Sequence, residues 1–130
     1  MIIENHPLIA KFVAEATGEE GFGDCYSFGN VVNNTLIGGC VCSNYTGLSV
    51  QMTVAGKGLW CTHELLNNCF SFAFNGLKCR RITVLVAVSN AKSLKLVNHL
   101  GFKEEGLVRM GEGEDDLILL GLLREECRYL

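Results

Sequence analysis

The residues best suited to chemistry lie in a short glycine-rich stretch, Ala55-Gly56-Lys57-Gly58. It follows a run of strand-forming residues and precedes a helical pattern that begins at about Leu59. Glycines let a ligand approach the backbone closely, and the free N–H groups at a helix start favour an anion such as phosphate. Lys57 adds a mobile positive charge. An ordinary strand-to-helix turn has the same composition, and the stretch matches neither the Walker motif nor the dinucleotide fingerprint.

A second polar stretch contains Asn90 and Ser93, at the start of a predicted helix that directly follows an apolar strand. Asparagine commonly caps a helix at this position. Alternatively, both side chains face the mouth between two neighbouring parallel strands, where α/β proteins bind their ligands. The sequence leaves both interpretations open.

Strand and helix patterns around these stretches define the elements that must position them. Residues 49–54 and 81–88 read as strands, joined by a helical pattern from about Leu59 to Asn75. A crossover of this length permits the two strands to lie parallel. Trp60 early in that helix fits core packing better than a pocket wall.

The remaining elements are predicted from periodicity and turn residues. They are a short helix over 6–16, strands over 24–32 and 35–43, a helix after Asn90, and strands over 102–110 and 116–123. Asn33-Asn34 is a plausible two-residue hairpin turn, and Gly38-Gly39 indicates a bulge or a close backbone approach.

Composition limits the class of protein. The chain, with 48% hydrophobic and 19% charged residues, suits a single domain over residues 1–130 with a real core rather than disorder. A net charge of −3 without a basic stripe argues against a nucleic-acid partner. No apolar run reaches membrane-spanning length and no secretory signal is evident, so we expect a cytoplasmic protein without membrane contact.

Seven cysteines are scattered without the spacing of a disulfide framework: Cys25, Cys40, Cys42, Cys61, Cys69, Cys79 and Cys127. The odd count predicts reduced thiols. Cys40 and Cys42 share one face of a predicted strand, but no second pair completes a metal site, so we expect no metal. Cys61 and His63, two apart on the predicted helix, point away from each other and do not favour a catalytic pair.

Several of these motifs together resemble the GCN5-related N-acetyltransferases (GNAT). The specific part is Asn90-x-x-Ser93 followed by Leu100-Gly101-Phe102-Lys103-Glu104-Glu105-Gly106. The Gly56-Lys57-Gly58 turn, Arg80-Arg81-Ile82 and a last strand from Asp116 also fit. The resemblance covers roughly residue 24 to the C-terminus and is closest to the branch that acetylates ribosomal-protein N-termini, including its small prophage-type members.

The resemblance implies an α/β (α+β) GNAT fold with a shortened N-terminus. Its mixed, mostly antiparallel sheet is splayed between two central parallel strands and has helices on both faces. Acetyl-CoA would lie in the splay and give its acetyl group to a primary amine, of a small molecule or a protein N-terminus, by direct attack. A homodimer is compatible with this expectation.

The family's motif carries over to this chain residue by residue. The implied cofactor-binding residues are Met52, Val54, Ala55, Gly56, Lys57, Gly58, Leu59, Asn90 and Ser93. The first two would hold the pantetheine arm through the backbone, the next five the pyrophosphate through N–H groups, and the asparagine the cofactor arm. The serine would also be the general acid that protonates the departing thiolate.

Two positions depart from the family's pattern. Thr53 stands where the turn usually begins with glutamine or arginine, and Val97 stands where many members have a tyrosine acid. Val97 donates no proton, so Ser93 or a water would have to do so, or the acid step is dispensable. For the general base, Glu64 and the loop over 112–114, with Glu112 and Glu114, are candidates by residue type alone.

Two other functions remain open. Val97 and the short N-terminus are compatible with a coenzyme A-binding module that has no catalysis. A scaffold used only for protein interaction would ignore the ligand and form a stable dimer.

Overall fold

The fold is a seven-stranded mixed sheet with helices on both faces. The structure, a computed structural model, describes all 130 residues. Its elements are β1 (Ile2–Glu4), α1 (Pro7–Thr17), β2 (Cys25–Val32), β3 (Thr35–Ser43), β4 (Ser49–Gly56), α2 (His63–Ser71), β5 (Arg81–Ala87), α3 (Ala91–Leu100), β6 (Lys103–Glu112) and β7 (Asp115–Leu123). A π-helical segment, Phe72–Gly76, continues α2, and a 3₁₀ turn, Arg124–Glu126, follows β7.

The strand order is β1-β2-β3-β4-β5-β7-β6, and β4–β5 is the parallel pair among antiparallel neighbours. The expected mixed, mostly antiparallel sheet with two central parallel strands is therefore confirmed. The crossover between β4 and β5 contains α2, as a parallel connection requires.

The two parallel strands separate soon after they meet. Their pairing comprises Ser49 with Arg81, Val50 with Ile82 and Gln51 with Thr83, and then stops. Beyond this point β4 stays on β3 up to Gly56, while β5 stays on β7 up to Ala87. The sheet thus opens as a wedge towards the carboxyl ends of both strands.

Alternation along the strands divides the side chains between two apolar layers. Val50 and Met52 of β4, with Ile82 and Val84 of β5, belong to a 20-residue core that also contains buried residues of α2 and α3. Helix α1 lies on β3 and β4, and its Ile9 contacts the places where side chains at Gly29 and Gly39 would be. The helices therefore cover opposite faces of the sheet.

Local signals explain the first helix and the first hairpin. Pro7 occupies the first turn of α1, the His6 side chain accepts a hydrogen bond from the Leu8 N–H at 3.1 Å, and Gly18 ends the helix. Asn33 and Asn34 have φ of 52° and 63°, as a type I′ turn requires. Both predictions from the sequence are confirmed.

The structure differs from the sequence analysis in one element that was not predicted and in one helix start that was predicted wrongly. Strand β1, which pairs with β2, was not predicted, because three residues are too short to display a period. Helix α2 begins at His63 rather than near Leu59, because Thr62 caps it by accepting from the Leu65 N–H at 3.2 Å. Leu59 is 91% exposed in the preceding loop.

Trp60 explains two of the glycines. Asn30 pairs with Gly38, and Gly38 pairs with Gly56, so the three form a row across β2, β3 and β4. The Trp60 side chain lies on this row and is 8% exposed. A Cβ at Gly38 would lie 2.5 Å from Trp60 Cβ, and one at Gly56 2.1 Å from Trp60 Cγ. Trp60 is thus a packing residue, and Gly38 marks the close approach that the sequence indicated.

All seven cysteines are free thiols. Hydrogen bonding to Cys40 and burial raise the pKa of the Cys42 thiol well above its ordinary value, and burial raises the pKa of Cys61. No three or more His, Cys, Asp or Glu side chains are grouped to hold a metal ion. None of the helices combines the length and apolar character needed to cross a bilayer.

We expect Gly56→Ala to destabilise the fold, because the added methyl group collides with the Trp60 ring; overpacking of this kind costs about 1–3 kcal/mol. Urea denaturation measures the free energy of unfolding. Gly21→Ala is the matched control, since a Cβ there meets nothing within 4 Å. Equal stability of the two variants would contradict the packing of Trp60 on the glycine row.

Candidate functional site

A cleft of about 610 Å³ fills the wedge between β4 and β5. Its walls include Met52 and Val54 from β4, together with Val84 and Ala87 from β5. The cleft begins where the pairing of the two strands ends. It is far larger than the apolar cavity of about 10 Å³ between α2, α3 and the face of β4 that they cover.

Main-chain groups of both strands face this cleft. The Lys57 N–H donates to the Ile37 carbonyl at 2.7 Å, so the alternation of an antiparallel ladder turns the N–H and C=O groups of Met52 and Val54 away from β3. The Val88 N–H donates to the Asp116 carbonyl at 2.9 Å, which turns those of Leu85 and Ala87 away from β7. The Met52 N–H is used in the Gln51–Thr83 pair of the parallel ladder. The Met52 C=O and the main-chain groups of Val54, Leu85 and Ala87 face the gap, where no strand pairs with them.

This arrangement suits an extended ligand with amide groups. Backbone donors and acceptors away from water are almost always paired. A linear chain carrying its own N–H and C=O groups takes the place of the missing neighbouring strand, as in other forms of strand addition.

Asn90 and Ser93 both line the cleft at the start of α3. The Asn90 Oδ1 accepts a hydrogen bond from the Ser93 N–H at 3.2 Å, so Asn90 caps the helix. Its Nδ2 group and the Ser93 hydroxyl bond to no other protein group. The cap therefore leaves a donor on each side chain available to a ligand.

Val97, one turn further along α3, is 3% exposed and lines the same wall. The side chain in the position of the family's tyrosine is thus inside the cleft but supplies no hydroxyl. Of the two α3 residues that line the cleft, Ser93 and Val97, only Ser93 has a side chain that can donate a hydrogen bond or a proton.

The glycine-rich stretch lies at the end of β4 and does not line the cleft itself. Ala55 pairs with Gly39 in the β3–β4 ladder, and the Lys57 N–H is used by Ile37. Gly58 has φ of +60° and open space around its Cα. Of the five residues from Ala55 to Leu59, Ala55 and Lys57 bond to β3, whereas the N–H groups of Gly56, Gly58 and Leu59 have no acceptor in the protein.

The start of α2 adds further free donors, which the sequence interpretation missed because it placed the helix start too early. The N–H groups of Cys61, His63 and Glu64 also have no acceptor in the protein. A short loop and a helix N-terminus together therefore present several unused donors, which favour an anion. The cap at Thr62 was the signal that would have located them.

Asn30, a residue of β2, holds this loop in place through hydrogen bonds. It is 4% exposed, and its Nδ2 donates to the Trp60 carbonyl at 3.0 Å and to Thr62 Oγ1 at 3.4 Å. Thr62 Oγ1 in turn accepts from the Leu65 N–H. The buried amide thus holds both ends of the turn that leads into α2, and no local motif identifies it in the sequence.

Another part of the cleft wall comes from the end of α1 and the β6–β7 turn. It includes Thr17, Glu19, Glu112 and Asp115, and the Ser89 hydroxyl donates to Asp115 Oδ2. Of the candidate bases named from the sequence, Glu112 lines the cleft, whereas Glu64 and Glu114 do not.

Cys61 and His63 are not a catalytic pair in the structure. Cys61 lies in the loop before α2, and the His63 ring packs on Tyr129 with 5.3 Å between ring centroids. The reason given from the sequence, a shared helix, is wrong, but the conclusion agrees with the geometry.

No protein-family model matches the sequence, and no curated protein matches it. Solved structures do match its fold. The spermidine/spermine N-acetyltransferase SpeG from Vibrio cholerae, in mutant forms, has a TM-score of 0.74 at 18% identity, over 96% of this chain and 95% of that chain. The spermidine N-acetyltransferase from Vibrio cholerae in complex with CoA and spermine has a TM-score of 0.74 at 18% identity, over 97% and 96%.

The ribosomal-protein-S5-alanine acetyltransferase from Vibrio fischeri is similar to a smaller extent. It has a TM-score of 0.68 at 21% identity, over 80% of this chain and 64% of that chain. At identities this low, the structural similarity establishes the fold alone. The chain therefore shares the GNAT fold of these N-acetyltransferases.

We expect Asn30→Ala to lower the free energy of unfolding by about 1–3 kcal/mol, because it removes the buried hydrogen bonds to Thr62 Oγ1 and to the Trp60 carbonyl, which keeps only the Thr62 N–H as a donor. Asn98→Ala is the control, since Asn98 is exposed and bonds only to Leu94 in its own helix. Chemical denaturation compares the two. A loss no larger than that of the control would show that the loop does not depend on Asn30.

Proposed function

We propose that the protein is an acetyl-CoA-dependent N-acetyltransferase that moves an acetyl group from the thioester to a primary amine by direct attack. The observation that carries this proposal is the unpaired backbone of β4, the Met52 carbonyl and both main-chain groups of Val54, facing a cleft that Asn90 and Ser93 also line. The shared fold with N-acetyltransferases, one of them in complex with CoA and spermine, supports it.

The cofactor's two polar parts match two features of the site. The pantetheine arm carries amides, which pair with the main-chain groups of Met52 and Val54 and with the Asn90 side chain. The diphosphate takes the free N–H groups of Gly58 and Leu59 and of the start of α2. Lys57 contributes charge from its side chain. In this arrangement Ala55 shapes the turn rather than binds, and the Gly56 N–H, which is turned away from β3, is available to the cofactor.

The chain's own groups then assist the transfer. Acetyl-CoA supplies the activated acyl group. A main-chain N–H of β4 stabilises the negative charge that develops on the thioester oxygen, which is typically a large contribution. Ser93 donates its proton to the departing thiolate, and the attacking amine loses a proton to water or to Glu112. Val97 keeps the wall apolar at the family's usual acid position.

We expect saturating acetyl-CoA to raise the melting temperature, since a ligand at 100 times its Kd stabilises the folded state by about 2.7 kcal/mol. Differential scanning fluorimetry measures the shift. An unchanged melting temperature at saturating ligand would refute the proposed function.

Gly58→Trp should raise the Kd of acetyl-CoA, because the indole fills the open space at the proposed diphosphate site. An unchanged Kd in the variant would show that the diphosphate binds elsewhere.

We expect Ser93→Ala to lower kcat about 100-fold, within the range for a lost general acid, while the KM for acetyl-CoA stays nearly constant. The serine side chain is needed only when the thiolate leaves. Steady-state kinetics with an amine acceptor separate the two constants. Lys95→Ala, an exposed change on the same helix, is the control. Unaltered kcat would exclude Ser93 as the acid.

A coenzyme A-binding protein without catalysis is the second candidate, and the position of Val97 inside the cleft favours it. It predicts the same thermal stabilisation but no acetyl transfer. A panel of small amines and peptide N-termini, assayed by release of free thiol, distinguishes the two functions.

A further inference from the structure

Residues 58–62 carry several of the free N–H groups at the proposed diphosphate site, but they belong to no helix or strand. Loops without regular structure are more mobile than the elements that they connect. A ligand that binds a mobile loop must order it, and the cost of ordering weakens the binding. The contacts that attach this segment to the sheet therefore determine how well its donors hold an anion.

A β-bulge attaches the chain just before the segment. The register of β2 and β3 shifts directly after Asn30, which leaves Ile37 as an extra residue of β3. The Ile37 carbonyl accepts a hydrogen bond from the Lys57 N–H at 2.7 Å. Bulges of this kind bend a strand, re-aim its groups and occur often beside functional sites. The start of the segment is thus fixed to β3.

Asn30 attaches the other end of the segment. Its hydrogen bonds to the Trp60 carbonyl and to Thr62 Oγ1 are the only ones that join residues 58–62 to the sheet. The backbone of Asn30 is itself held on both sides, because β2 pairs with β1 and with β3 at this residue. The amide therefore connects an irregular loop to a rigid part of the molecule.

Asn30 acts from outside the anion site. Its side chain is buried at 4% exposure, and its Nδ2 group donates to protein acceptors alone. The N–H groups of Leu59 and Cys61, on either side of Trp60, have no acceptor in the protein. By fixing the carbonyl between these two N–H groups, Asn30 fixes the directions in which they point.

We propose that Asn30 is a positioning residue for the diphosphate of the cofactor. Its amide holds the 58–62 segment in the binding conformation before the ligand arrives, so the free N–H groups need not be ordered during binding. This inference rests on the proposed function, in which the diphosphate occupies this loop, and it assigns part of the affinity to a residue of β2 that does not touch the ligand.

The test compares CoA with pantetheine, which has the same thiol arm but lacks the diphosphate and the nucleotide. Asn30→Ala should raise the Kd of CoA about tenfold, the effect of losing roughly one hydrogen bond that orders the loop, and should leave the Kd of pantetheine unchanged. Calorimetric titration, at a temperature where each variant is folded, measures both constants. A merely structural role of Asn30 would not separate the two ligands.

Kinetics give a second readout. In Asn30→Ala the KM for acetyl-CoA should rise while kcat stays nearly constant, because the acetyl group reacts beside β4 and α3, away from the diphosphate. The kcat/KM for S-acetylpantetheine, a donor without the diphosphate, should be unaltered. This ratio is measurable even where the donor binds too weakly to saturate the protein.

Ile82→Val is the control for lost stability. It removes a buried methylene group from the part of the sheet where β4 and β5 are still paired, and it leaves the 58–62 segment intact. Its Kd for CoA should equal that of the unaltered protein. Thr62→Val keeps Asn30 but removes the hydroxyl that joins the amide to the start of α2, so it should also raise the Kd of CoA. This variant tests the inference if Asn30→Ala does not fold.

Two results would overturn the inference while acetyl-CoA still stabilises the unaltered protein. One is an unchanged Kd of CoA in the folded variants at Asn30 and Thr62. The other is an equal loss of affinity for CoA and for pantetheine. Failure of the proposed function is recognised separately, as absence of any thermal shift with acetyl-CoA.

Discussion

The separation of β4 from β5 after the Gln51–Thr83 pair is the constraint on which the rest of the structure depends. Each strand is secured by an antiparallel neighbour on its outer side, β3 for one and β7 for the other. The inner side can therefore stay open without either strand losing its place. An interrupted ladder exposes main-chain groups that would be hydrogen-bonded to each other in an uninterrupted sheet. These groups are therefore free to bind a ligand.

Most of the sheet was predictable, because its strands are long enough to show their period and are separated by recognisable turns. Strand β3 lies where the sequence places it, and the hairpin at Asn33 and Asn34 follows from two residues that tolerate positive φ. Strand β1 carries no comparable local information. Its three residues form a strand because β2 offers an edge, which is a property of the assembled sheet.

The site was only partly predictable, because a sequence pattern does not say what a glycine makes room for. In the sequence Gly56 indicates room for a ligand, but in the structure the Trp60 ring occupies the space where its side chain would be. Helix α2 begins later than the apolar residues imply, since one capping threonine outweighs them. Asn30 and Asp115 reach the site from distant parts of the chain, so no local motif indicates them, and Glu112 could be named by residue type alone.

The position of Trp60 has an optical consequence. It is the chain's one tryptophan, and it is buried between the glycine row and the loop that leads into α2. Its fluorescence emission therefore reports on the surroundings of Trp60 alone, because no second tryptophan contributes to the signal. A shift in wavelength on adding a ligand would register rearrangement of the loop, whereas a ligand confined to the cleft wall at the end of α1 would leave the spectrum unchanged.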